Sequence, residues 1–240
     1  MRHQGRTMRL KIERPGTERK VVYDESRWAL LEELRGRAAG LLRILGGDSY
    51  VYGSVARGDV HRGSDVDIVV LDGRRPMEVE SLLLSKGIEP RAKEVVMATP
   101  NSLPKGHIHL GENTTITIPL VRPSPREEEF YRFGGLASRR ELEEGVRVPG
   151  VDKRLMMILP MEYGHLEFSI LGREAEASRI LGVSEELVRE RVRVLTRRDR
   201  IGRTGVFLRR EIPLEEDLGE AFERLADKSA EIKRFLRKRL

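Results

Sequence analysis

YVYGSVARGDVHRGSDVDIVVL, residues Tyr50 to Leu71, is the stretch whose reading decides the fold. Tyr50-Val51-Tyr52 is a strand-like apolar run that breaks at Gly53-Ser54. A second run opens at Asp65-Val66-Asp67 and continues through Ile68-Val69-Val70 as a buried strand. Alternate side chains of a strand share a face, so Asp65 and Asp67 point one way while Val66 and Ile68 point the other. Two carboxylates side by side repel unless a cation lies between them. Oxygen-only ligands of this kind suit Mg2+, which keeps several waters and completes its shell with substrate phosphates. Gly53-Ser54 supplies a small turn, with backbone N–H groups and a hydroxyl able to approach a phosphate closely. The bland alternative is a surface turn before a strand with solvated carboxylates, but the wholly apolar run after Asp67 weighs against it.

Length allows one large or two modest domains. Charged residues make up 35% of the chain with both signs mixed, and cysteine is absent. That excludes a disulfide framework, a thiolate metal site and a cysteine nucleophile. Abundant Arg and Glu without Cys fits a thermophile. No stretch has the apolar length of a membrane helix and no signal peptide opens the chain, so no membrane association is expected and the cytoplasm is the default location. A net charge of +6 favours polyanionic partners in general.

The motif Gly53-Ser54-x-Ala56-Arg57-Gly58 followed by Ser64-Asp65-x-Asp67 resembles the signature of the DNA polymerase β-like nucleotidyltransferase superfamily. The branch it looks most like is the minimal nucleotidyltransferases of prokaryotes, including predicted nucleotidyltransferases of archaea. The resemblance implies transfer of a nucleoside monophosphate from an NTP such as ATP to an acceptor hydroxyl. It implies Mg2+, as two ions, held by Asp65 and Asp67, and a nucleotide held by Gly53, Ser54, Ser64 and Arg57. A guanidinium such as that of Arg57 matches phosphate geometry. The superfamily also places a third carboxylate on a strand after the D-x-D strand. Glu94, in the strand expected over Arg91–Met97, is the first candidate; if Thr114 to Leu120 is the equivalent strand, Thr117 stands there and the third ligand is missing.

Around the motif the chain alternates helix and strand, as a small mixed sheet of α/β (α+β) class requires. A strand is expected over 18–23 and a helix over 26–45, capped by Asp24 or Ser26 and ended by Gly46-Gly47. Trp28 in that helix reads as a core anchor rather than a stacking platform. A helix over 76–86, a strand over 91–97 and a hairpin of 106–110 with 114–121 follow. His107 and His109 share a strand face and suit either a transition metal, for which no third ligand is near, or the rim of a pocket. Phe130, Tyr131 and Phe133, in a helix over 125–133, either dock that helix or offer a base-stacking surface.

Residues 1–150 thus form a nucleotidyltransferase-like domain, and 151–240 read as a second, mainly helical one. Helical periodicity is expected over 165–171 and again from Glu174, followed by the turn Gly182-Val183-Ser184 and a helix from Glu185 to about Arg198. Two short strands around Gly202–Gly205 would complete what resembles a winged helix-turn-helix. Arg189, Arg193, Arg197, Arg200 and Arg203 form a one-sided basic run suited to phosphates, and so to DNA or another nucleic acid. Winged helices also serve as protein-binding modules. A last helix opened by Pro213 has an apolar face suited to packing or to a homodimer. Three functions compete: an active nucleotidyltransferase with a nucleic-acid-binding tail, a nucleotide-sensing DNA-binding regulator with an inactive domain, and a protein-modifying nucleotidyltransferase.

Overall fold

The computed structural model describes residues 11–111, 113–202 and 205–239. In chain order the first elements are β1 (Glu18–Val22), α1 (Glu25–Leu45), β2 (Ser49–Tyr52), the single turn α2 (Ser54–Arg57), β3 (Val66–Val70) and α3 (Pro76–Leu84). A meander of β4 (Ala92–Met97), β5 (Lys105–Leu110) and β6 (Thr114–Pro119) leads to α4 (Pro125–Phe133), β7 (Leu136–Ser138) and α5 (Arg139–Glu143). Then come β8 (Gly150–Val151), β9 (Met156–Met161), β10 (Gly164–Ser169), α6 (Glu174–Leu181), α7 (Glu185–Ile201), β11 (Leu208–Ile212), α8 (Leu218–Asp227) and α9 (Ala230–Arg237).

Seven strands form the larger sheet in the order β11-β4-β5-β6-β3-β2-β7, with β3 and β6 parallel and the other neighbours antiparallel. The strand period of two gives this sheet two unlike faces. Val66, Ile68, Ile108, Ile116 and Val95 lie in the main core with Leu34, Ala38 and Leu42 of α1, and with residues of α3, α8 and α9. The opposite face carries Asp67, Thr115, Thr117, His107, His109 and Glu94, matched across the strands by register. One face therefore builds the fold and the other is left for chemistry. Asp24 caps α1 by accepting from the Arg27 N–H at 2.8 Å, and Trp28 packs at the margin of the core with the Arg147 guanidinium over its ring. Among the described residues no helix is long and apolar enough to cross a membrane.

The second half differs from the expectation in four places. Residues 164–169 are strand β10, not helix: Leu166, Phe168 and Ile170 fit a period of two as well as a helical one, and pairing with both β1 and β9 decides between them. After α7 no wing folds back on itself among the described residues. Instead Leu208–Ile212 adds to the larger sheet, antiparallel to β4, and covers what would be an open edge. The last helical stretch is two helices, α8 capped by Asp217 and α9 capped by Ser229, with Pro213 in the turn ahead of them. Finally, the division expected at residue 150 is crossed by strand pairing in both directions, β1 with β10 and β11 with β4. The smaller sheet, β1-β10-β9-β8, shares a second core with α6 and α7 that includes Leu155, Phe168, Ala177 and Leu187. The turn between these helices is as the sequence suggests: Gly182 adopts φ 60° and Ser184 caps α7 through the Leu187 N–H.

Candidate active site

The site is built where β2 stops. Gly53, at φ 82°, turns the chain into α2, and open space lies where its Cβ would be. Its own N–H is taken by the Gly135 carbonyl at 2.9 Å, which fixes the turn. Ser54 Oγ donates to Ser64 Oγ at 3.3 Å, and Ser64 Oγ accepts from the His61 N–H at 2.9 Å, so the two serines tie the turn to the loop before β3. That loop delivers Asp65, which is exposed, and Asp67, which is half-buried. All of Gly53, Ser54, Ser64, Asp65 and Asp67 line one cleft of ≈ 530 Å3 between the two sheets. The aspartates do not face apart, and the cleft beside Ser54 is open to both.

The electrostatics of the pair follow from this placement. Burial, and then the neighbouring charge of Asp65, push the Asp67 carboxyl up to about 6, against which Lys153 pulls it down. A half-buried carboxylate strained by its neighbour is what a divalent cation relieves. Among the described residues no group of three or more acidic, histidine or cysteine side chains converges on this point. The donors present are thus two carboxylates flanked by hydroxyls, an oxygen-only set that fits Mg2+ with water and phosphate filling the rest of its shell.

Arg57 and Glu94 are held by partners of their own. Arg57 is buried, its guanidinium forked by Asp59 at 2.9 and 3.0 Å and donating to the Gly134 carbonyl. It braces the turn and lines the same cleft as Ser54, Asp65 and Asp67. Gly135 and Gly150 pack directly on its side chain: a Cβ on Gly150 would lie 2.7 Å from Arg57 Cδ. Glu94 lies three strands from Asp67, roughly 14 Å at about 4.8 Å per strand, so it is no partner for the same ion. It accepts from Arg209 at 2.7 and 3.1 Å and stands 3.3 Å from His109 Nε2. The strand beside β3 is β6, which sets Thr115 opposite Asp67 and Thr117 opposite Val69, so β6 offers hydroxyls where a third carboxylate was sought. Arg203 lies outside the described residues.

The structure adds residues that the motif does not contain. Arg191 of α7 reaches into the cleft with a buried Nε that has no hydrogen-bond partner, its guanidinium 4.9 Å from the Phe130 ring centre. Lys105 lies beside it over Phe130 and Tyr131, and burial lowers its ammonium to about 8. The aromatic cluster is divided: Tyr131 is buried edge-on to Tyr52, while Phe130 and the largely buried Phe133 line the cleft. Arg191 lies on the same helix as Arg189, Arg193 and Arg197 but out of phase with them. Of those three, Arg189 is tied to Glu185 at 2.6 Å, while Arg193 and Arg197, like Arg200, are exposed on α7. His107 and His109 bond Thr117 and Thr115.

The larger sheet thus presents a Gly-Ser turn and paired aspartates to one cleft. Residues 31–114 match the family model of the nucleotidyltransferase domain, so this part of the chain is a nucleotidyltransferase domain. Among curated proteins none matches the sequence. Two solved structures overlap with part of the chain. One is Cid1, described with RNA terminal uridylyl transferase activity, at 14% identity and a TM-score of 0.29, covering 46% of this chain and 34% of that one. The other is the GLD-2/RNP-8 complex, at 16% identity and a TM-score of 0.27, covering 47% of this chain and 46% of that one. The chain thus spans less than half the length of either.

Proposed function

We propose that the protein is a Mg2+-dependent nucleotidyltransferase that moves a nucleoside monophosphate from an NTP to an acceptor hydroxyl and releases pyrophosphate. The observation that carries this reading is that Asp65, Asp67 and the Gly53-Ser54 turn, all within the matched residues 31–114, line one cleft. Asp65 and Asp67 would hold the metal, which supplies charge neutralisation at the phosphates when bound. Ser54 and Ser64 would bond phosphate oxygens. With Arg57 engaged by Asp59, the triphosphate's cationic partners are Arg191 and Lys153, and Phe130 offers the base a ring face. The exposed arginines of α7 would take a nucleic acid along its outer side.

A second reading, a nucleotide sensor without turnover, is favoured by one observation: β6 sets threonines beside the aspartates. Incubation with [α-32P]NTPs and Mg2+ against RNA, DNA and protein acceptors separates the two. Labelling that disappears in Asp65→Ala and Asp67→Ala supports transfer, whereas bound nucleotide without labelled product in any mixture supports sensing. Loss of nucleic-acid binding by the full chain as salt rises from 50 to 200 mM would support the role of α7.

A further inference from the structure

Asp65 is the wall between two cavities. It lines the nucleotide cleft on one side and, on the other, a second cavity of ≈ 480 Å3 lined also by Arg91, His109, Asn113, Thr114 and Thr115. Nucleotidyl transfer needs its two reactants on opposite sides of the phosphorus, attacking and leaving oxygens in line. With the nucleotide in the first cavity, the second is where an acceptor alcohol can stand.

That alcohol must lose a proton, and Asp65 and Asp67 would be engaged in holding Mg2+. On the acceptor side a different set is ready. Thr115 Oγ1 is 3.1 Å from His109 Nδ1, and His109 Nε2 is 3.3 Å from Glu94 Oε1. Arg209 forks the same Glu94 from β11. A carboxylate accepts only, so Nε2 carries the hydrogen toward Glu94, Nδ1 is the lone-pair nitrogen, and the Thr115 hydroxyl donates to it. Burial alone would raise the Glu94 carboxyl, but its bonds to Arg209 and His109 hold it below the ordinary value, so it remains an acceptor. The charged groups facing His109 are Glu94 on β4, Arg209 behind it on β11, His107 on its own strand with ring centres 6.2 Å apart, and Arg91 and Asp65 around the cavity. Burial lowers His107 to about 4, and His109 is the imidazole of this pair that lies between Thr115 and Glu94.

We propose that Thr115, His109 and Glu94 form a proton relay for the acceptor. The acceptor alcohol passes its proton to Thr115 Oγ1 while Thr115 passes its own to His109 Nδ1. The acceptor oxygen bonds the α-phosphorus, the bond from that phosphorus to the bridging oxygen breaks, and pyrophosphate leaves with its electrons. Thr115 touches the substrate in this scheme; His109 and Glu94 are positioning residues that act through it. This rests on the nucleotidyltransferase reading and adds how the acceptor is activated and from which side it enters.

The test uses the full chain with Mg2+. Fluorescent mant-ATP reads nucleotide binding, and [α-32P]ATP with an oligoadenylate RNA, a single-stranded DNA and a protein mixture reads transfer as a function of pH. For His109→Gln and Thr115→Val the expectation is mant-ATP binding within about twofold of wild type and transfer slower by roughly 10²–10⁴. His109→Gln should also lose the acid limb of the pH–rate profile, and Thr115→Ser should recover most of the rate. Unchanged binding shows that the variants fold. Both variants transferring at the wild-type rate with an unchanged profile would overturn the relay. A wild type that binds mant-ATP yet labels none of the acceptors instead removes the nucleotidyltransferase reading, and the relay with it.

Discussion

Asp67 and Arg57 illustrate how a charged side chain's surroundings set its task. The Asp67 carboxyl rises from 3.8 to about 6, so its proton stabilises the fold below pH 3.8 and that contribution is lost as pH rises through 6. At roughly 1.4 kcal/mol per pH unit, the ionised group costs the metal-free protein about 3 kcal/mol above neutrality. Asp67→Asn should therefore melt higher than wild type at pH 8 without metal, by roughly 4 °C or more, while no longer gaining from added Mg2+. Calorimetry with and without Mg2+ decides; an equal metal response in both proteins would rule Asp67 out as a ligand. Arg57 stands at the other extreme, buried in a fork with Asp59. Arg57→Ala leaves Asp59 uncompensated and should lose about 3–5 kcal/mol in urea unfolding. Arg191→Ala removes a guanidinium whose Nε is unpartnered, so it should leave stability nearly unchanged and weaken mant-ATP binding about tenfold or more. If the two variants exchange these phenotypes, the reassignment of the phosphate-binding arginine fails.

At the level of elements, the Gly-Ser turn, the D-x-D strand and the helix before them were legible because each is written in neighbouring residues. Asp24 and Gly46 mark the ends of α1, and Val66 to Val70 can only be a buried strand. Partner choice is not written locally. Leu208–Ile212 reads as a strand, but nothing within it says that it will seek β4, and residues 164–169 satisfy two periods at once. The charges that hold β1 to β10 were equally hidden: Arg154 lies between Asp152 and Glu167, and Arg19 reaches Glu167 at 2.9 Å. Burial acts to raise the Glu167 carboxyl, but its bonds to His165 and Arg154 and the nearby Arg19 prevail and hold it at about 2. Its contribution is thus complete above pH 4.5 and lost as pH falls through 2. Glu167→Gln should unfold at a higher pH than wild type in an acid titration followed by near-UV circular dichroism; coincident curves would remove the network from the account of acid stability.

The whole molecule does not divide at the residue where its composition changes. With β1 paired to β10 and β11 to β4, and with Leu218, Phe222, Ile232 and Phe235 in the same core as α1, residues 1–150 lack both a sheet edge and part of the main core. Expressed alone, that fragment should give weak near-UV dichroism and no cooperative melt, and a sharp transition would restore the two-part description. The site too was only half readable at this scale. Asp65, Asp67 and Ser54 are close in sequence, while Lys153 and Arg191 reach the cleft only because the chain returns to it.

The edge strand has a consequence for synthesis. Glu94 meets Arg209 across a separation of 115 residues, so as the polypeptide leaves the ribosome, the flank of β4 stays bare until the helical unit has also emerged. Contacts of such long range are slow to close and leave sticky edges waiting in the meantime. Yield in a cell should accordingly respond to translation speed and chaperone supply more than its equilibrium stability would suggest.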